Sequence, residues 1–182
     1  MNPGWDFHAI APEIIISATI IIVLIVIIVI VLVLVLFNGF FALSEMAVIT
    51  SRKGRLKELA KDSRGARKAL DLAEHPDSFL SAVQTWITVL GILTGFIGGE
   101  SLGEPIGQWV ALHLPLLADY SHYIGAVLGV LIMVFLYGVI GELVPKRMGV
   151  LRPERIAVVV ALPMHFFATI ARPGVVVMSW SA

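Results

Sequence analysis

Five positions in this 182-residue chain could offer oxygen to a cation inside a membrane: Ser44, Gln84, Thr88, the carbonyl of Gly141, and Glu142. Glu142 is the least ordinary of them. In the stretch YGVIGELVPKRMG (137–149) it stands among Gly138, Ile140, Gly141, Leu143 and Val144, before any other charge appears. A carboxylate in apolar surroundings resists ionisation, and ionisable groups inside membranes are expensive and usually functional. Pro145 has no N–H, so the Gly141 carbonyl loses its usual helical partner. A carboxylate and a free carbonyl then lie side by side. Hard oxygen ligands suit Mg2+, Ca2+ or Na+ rather than copper or zinc. A plainer reading stays open: Lys146 follows Glu142 by four residues, the favourable order for a helical ion pair.

The elements that position these residues are membrane helices. The hydrophobic fraction is 58%, above the ~45–50% of a soluble domain. The excess is concentrated: residues 14–37 hold no charge and exceed the ~20 residues that cross a bilayer as a helix. Valine and isoleucine dominate this run and would favour strands in water. In lipid only a helix satisfies its backbone within one segment. A cleaved signal peptide fits poorly, because no basic segment precedes the run and its apolar part is too long. The expected fold is an all-α membrane protein with spans at about 14–50, 78–99 and 123–145. The apolar stretch 156–171 is short and carries Pro163 and His165. It reads as a juxtamembrane or re-entrant helix over about 153–172. One transmembrane domain would cover 1–172, with 173–182 a tail that looks like a cut end.

Charge orients the spans. Eight basic residues lie between the first two spans, from Arg52 to Lys68. Lys146, Arg147, Arg152, Arg155 and Arg172 complete the thirteen. The N-terminal segment and the stretch 100–122 have none, but hold Asp6, Glu13, Glu100, Glu104 and Asp119. The positive-inside rule puts the basic loop in the cytoplasm and the N-terminus outside. Beside membrane spans that reading displaces nucleic acid as the partner of the basic loop. The stretch 100–123, with Trp109, Tyr120 and Tyr123, has the composition of an interfacial loop anchored by aromatics.

Depth brings the polar residues together. At 1.5 Å per residue, Glu142 lies roughly 6 Å from Lys146, Ser44 and Glu45 roughly 10–12 Å from Arg52, and Gln84 roughly 10 Å from Asp77. Three helices therefore carry oxygen at a similar level in the inner half of the membrane. Asn38-Gly39 could interrupt a first helix that is otherwise long for one span. Broken helices expose backbone oxygens in many transporters. Ser44 could instead bond back to Phe40, and Glu45 could face the cytoplasmic mouth. Ser81, Gln84, Thr88, Gly91, Gly95 and Gly98 share one stripe. That stripe is either a packing seam with polar glue or a source of ligands.

Three motifs in order, SE-x-A at 44–47, Q-x-x-x-T at 84–88 and GE-x-x-PK at 141–146, resemble the CorC/CNNM family in its bacterial hemolysin-C-like branch. The resemblance covers about residues 37–172. It implies a homodimeric domain of three transmembrane helices plus a juxtamembrane helix in the bacterial inner membrane, followed by cytoplasmic CBS modules that this chain lacks. It also implies Mg2+ export coupled to Na+ entry, with Ser44 and Glu142 among the Mg2+ ligands. Relatives add an asparagine in the second helix. Here that region reads Trp86-Ile87-Thr88, so Gln84 or Thr88 is expected to supply the oxygen.

An enzyme has little support. His8, His75, His113, His122 and His165 show no ligand spacing, there is no cysteine, and no nucleophile elbow or phosphate loop occurs. The alternative to a transporter is a membrane-anchored regulator that responds to a cation or nucleotide and moves nothing itself.

Overall fold

The computed structural model describes residues 7–180, with the side chains of 15 and of 18–170. Every described residue outside short connections is helical. In order these are α1 (Phe7–Thr50), α2 (Lys53–Leu59), α3 (Arg64–Glu74), α4 (Pro76–His113), a 3-10 turn (Pro115–Tyr120), α5 (Ser121–Leu136), a π-helical segment (Tyr137–Leu143), α6 (Val144–Leu151) and α7 (Pro153–Trp180). By length and composition four stretches can cross a membrane, not three: Ala18–Thr50, Pro76–His113, Pro115–Leu151 and Pro153–Ile170. The apolar surface of the N-terminal half of α1, including Ile21, Ile25 and Ile28, is exposed, as a lipid-facing helix requires.

Two sequence expectations are corrected. α1 runs unbroken through Asn38-Gly39. The asparagine is fully buried and bonds another helix, so it does not compete for its own backbone. Gly39 serves close packing: a Cβ there would stand 3.1 Å from Pro145 Cγ. The stretch expected as an outer loop is mostly helix, since α4 continues through Pro105 to His113. It is held by backbone-to-backbone packing on α5. Gly99, Gly103 and Gly107 face Gly125 and Gly129, and a Cβ on Gly129 would lie 2.6 Å from the Gly103 nitrogen. Small residues at four-residue spacing allow this approach. None of the described glycines has positive φ, so close packing accounts for these. α7 runs from Pro153 to Trp180, through Arg172-Pro173, and residues 181–182 of the expected tail lie outside the described residues.

The core sits toward the basic end of the molecule, where α1, α3, α4 and α7 meet around Phe41, Leu56, Phe79, Val83 and Met164. Phe41 stacks on Trp86 with ring centroids 5.8 Å apart and planes 4° from parallel. Phe167 of α7 meets Phe41 edge-on at 5.2 Å. Trp86 Nε1 donates to the Phe167 carbonyl at 3.2 Å. On α7's other side Gly65 of α3 presses on the Val158 carbonyl, and Lys68 Nζ lies 3.0 Å from His165 Nε2. α1 is thereby fixed against its neighbours at the level of Phe41, one turn from Ser44 and Glu45.

Candidate functional site

The polar cluster lies where α1 crosses the π-helical segment and α6. Pro145 donates nothing, and ahead of it the Val144 N–H reaches back five residues to Val139. The helix widens into a π turn over Tyr137–Leu143. Such turns are rare and occur often at functional sites. The freed Gly141 carbonyl does not stay free. Asn38 Nδ2 donates to it at 2.8 Å, while Asn38 Oδ1 is buried and receives no hydrogen bond. Close contact makes this possible: a Cβ on Gly141 would stand 3.3 Å from Asn38 Nδ2. Below it, Gly149 of α6 sits on Leu43 and Met46 of α1.

Two turns along α1 from Asn38, on the same face, comes Glu45. Lys146 Nζ donates to Glu142 Oε1 at 2.7 Å and lies 3.6 Å from Glu45 Oε2. One ammonium thus bridges carboxylates from two helices. The side chains of Glu45, Lys146 and Glu142 are 15%, 29% and 39% exposed. Glu45 Oε2 is covered and accepts no hydrogen bond. Above the pair, the Tyr137 hydroxyl donates to the Ile87 carbonyl of α4 at 3.0 Å and rests against Gly91.

Of the five sequence-predicted ligands, Gly141 and Glu142 belong to this cluster. Ser44 is fully buried on α1 and its hydroxyl donates to Phe40 O at 2.6 Å. Gln84 and Thr88 are exposed. Thr88 Oγ1 donates to Gln84 O at 2.8 Å. Among the described residues no hydrogen bond joins either to Ser44, Gly141 or Glu142. The reason is helical phase. Phe79, Val83, Ile87 and Leu90 form α4's buried face, and Gln84 and Thr88 lie one residue, about 100°, away from it. Depth alone did not bring them inward. Sequence reasoning treated Asn38 as a helix breaker and Glu45 as a mouth residue. The signal that links them is the seven-residue spacing, which puts both on one helical face.

Among the described residues no three His, Asp or Glu side chains converge on a metal-binding point. The cluster offers two carboxylates, a buried amide oxygen, a backbone carbonyl and a neighbouring hydroxyl. That set fits a hard cation that keeps part of its water shell.

A family model described as the cyclin M transmembrane N-terminal domain, CNNM, matches residues 28–182. The chain is 43% identical over 147 residues to the UPF0053 protein sll0260 of Synechocystis sp., covering 80% of this chain and 33% of that protein. It is 33% identical over 147 residues to the UPF0053 protein YhdP of Bacillus subtilis, covering 79% and 32%. It is also 29% identical over 137 residues to a polyamine export protein of Salmonella typhimurium, covering 75% and 30%. The family resemblance read from the three motifs holds: the chain belongs to the CNNM family. It is an all-helical, multi-pass membrane protein by the same match and by its apolar helices. The chain spans about a third of the length of the curated relatives it matches.

Proposed function

We propose that the chain is the membrane part of a bacterial inner-membrane transporter that exports Mg2+, driven by Na+ entry. Its cargo site is the α1/π-segment cluster. The observation that carries this is the pair of carboxylates, Glu45 and Glu142, facing one ammonium at a helix crossing. A soluble anchor has no need of intramembrane acids, and such groups mark ion pathways. Glu142 and Glu45, the Gly141 carbonyl and Ser44 would bind the ion, with Asn38 Oδ1 and water completing six positions. Gln84 or Thr88 would join only if α4 turns toward the site or a second copy brings them to it. Family membership supports transport over a purely regulatory role, and the polyamine export relatives are named for it.

The proposed topology keeps three spans, an outside N-terminus and α7 at the cytoplasmic interface. α7 lies along α3 from Val158 to His165, and α3 carries Arg64, Arg67 and Lys68, which hold it at the headgroups. The working unit would be a homodimer joined to cytoplasmic CBS modules in the intact protein.

A second cargo class has one specific observation in its favour. The site already lodges an alkylammonium, that of Lys146, between its acids, as a polyamine would require. Efflux from proteoliposomes loaded with Mg2+ or with spermidine, with and without an inward Na+ gradient, tests both. Na+-stimulated Mg2+ efflux supports the main reading, spermidine efflux alone the second, and neither contradicts transport.

A further inference from the structure

Lys146 is the one basic side chain lodged in the cluster, and its environment is out of balance. Its Nζ donates to Glu142 Oε1 at 2.7 Å, while Glu45 Oε2 stands 3.6 Å away, covered and without a hydrogen bond. Two carboxylates from two helices therefore face a single ammonium, and the group of three carries one uncompensated negative charge. A pair built only to satisfy Glu142 would not need the second, covered carboxylate of Glu45. We infer that the Lys146 ammonium is a tethered counter-cation, which fills the carboxylate pair between transport events and is displaced by the cargo. The inference rests on the reading of that pair as the cargo site.

The charge balance shows what displacement achieves. Two carboxylates and one ammonium leave one net negative charge. If a divalent ion takes the ammonium's place, the pair is neutralised and the lysine is released to solvent. A monovalent ion in the same place leaves one negative charge, as before, and also strips the lysine of its partners. Exchange against an internal lysine thus favours cargo carrying two or more positive charges. Unloading then lets the ammonium return, so the empty site never holds two uncompensated carboxylates in a low-dielectric setting, where like charges repel strongly.

The geometry permits the swing. Lys146 is the first residue after Pro145 and already partly exposed, and Arg147 beside it is exposed. The flexible stem can carry the ammonium toward the cytoplasmic mouth.

The test uses the intact protein in nanodiscs, with Mg2+ and spermidine each as probe. If the lysine-filled state holds about nine-tenths of the population, Lys146→Met should tighten probe binding about tenfold, because apparent affinity scales with the competent fraction. Flux in proteoliposomes should fall in the same variant, since the empty site cannot neutralise itself. Labelling of Lys146 by a small amine-acylating reagent, read by peptide mapping, should rise when probe is added to the wild-type protein. Equal or weaker binding by Lys146→Met, with normal binding by the wild type, overturns the inference and leaves the cargo site standing. Absence of probe binding to the wild type overturns the cargo site itself. Should Lys146→Met fail to fold, the labelling decides: unchanged labelling with bound probe rejects displacement.

Discussion

Asn38 Nδ2 donates to the Gly141 carbonyl at 2.8 Å, a bond between residues 103 apart in sequence that ties α1 to the π-helical segment. It satisfies the acceptor that Pro145 orphans, and it holds the backbone one residue before Glu142. Asn38→Leu removes the donor and buries an unsatisfied carbonyl, at a cost of about 1–3 kcal/mol. A lowered melting temperature in detergent is the expected result, together with weaker Mg2+ binding, because the π turn loses its anchor. Unchanged stability would mean the carbonyl finds another donor.

The α4–α5 hairpin depends on bare backbone contact at Gly103, Gly107, Gly125 and Gly129. Gly129→Leu has no room on any side and should cost about 3 kcal/mol or more. Gly95→Leu is a control of a different kind. Gly95 is exposed within one protomer and no atom would meet its Cβ within 4 Å. It should leave the protomer folded and, if the exposed part of the stripe, Gln84, Thr88 and Gly95, forms the dimer contact, convert dimer to monomer in light scattering. A Gly95→Leu variant that stays dimeric places the contact elsewhere.

Ser44 separates a packing role from a ligand role. Its bond to Phe40 O lies within its own helix, so Ser44→Ala should cost no more than about 1 kcal/mol. As a ligand, its loss should weaken Mg2+ binding at least several-fold. Stability and binding measured on the same sample distinguish the two.

Single cysteines at Asp6 and Arg172 test the topology. Asp6 lies outside the described residues, so the prediction rests on the placement of basic residues alone. Opposite-side labelling is expected. Same-side labelling contradicts three spans and agrees with four.

The helices were legible because membrane spans announce themselves by length, and the composition of residues 14–37 allowed little else. The family was legible because three short motifs occur in order. What escaped was phase and long-range pairing. Gln84 and Thr88 share a depth with Glu142, but depth is one coordinate, and α4's rotation, set by Phe79, Val83, Ile87 and Leu90, decides which residues look inward. The hairpin glycines were hidden by an assumption: once 100–122 was read as a loop, Gly103 and Gly107 had no helix to lie on. Asn38 looked like a breaker because its partner, 103 residues away, is invisible to local reasoning.

The carboxylate of Glu142 carries the account, and one measurement reaches it most directly. Glu142→Gln keeps the shape and removes the charge. Mg2+-dependent thermal stabilisation of the intact protein should be present in the wild type and absent in Glu142→Gln, while dimerisation is retained. If Glu142 merely pairs with Lys146, then Glu142→Gln and Lys146→Ala should both lower the metal-free melting temperature and both retain the Mg2+ effect. Retained stabilisation in Glu142→Gln contradicts the cation site, whatever Lys146→Ala does.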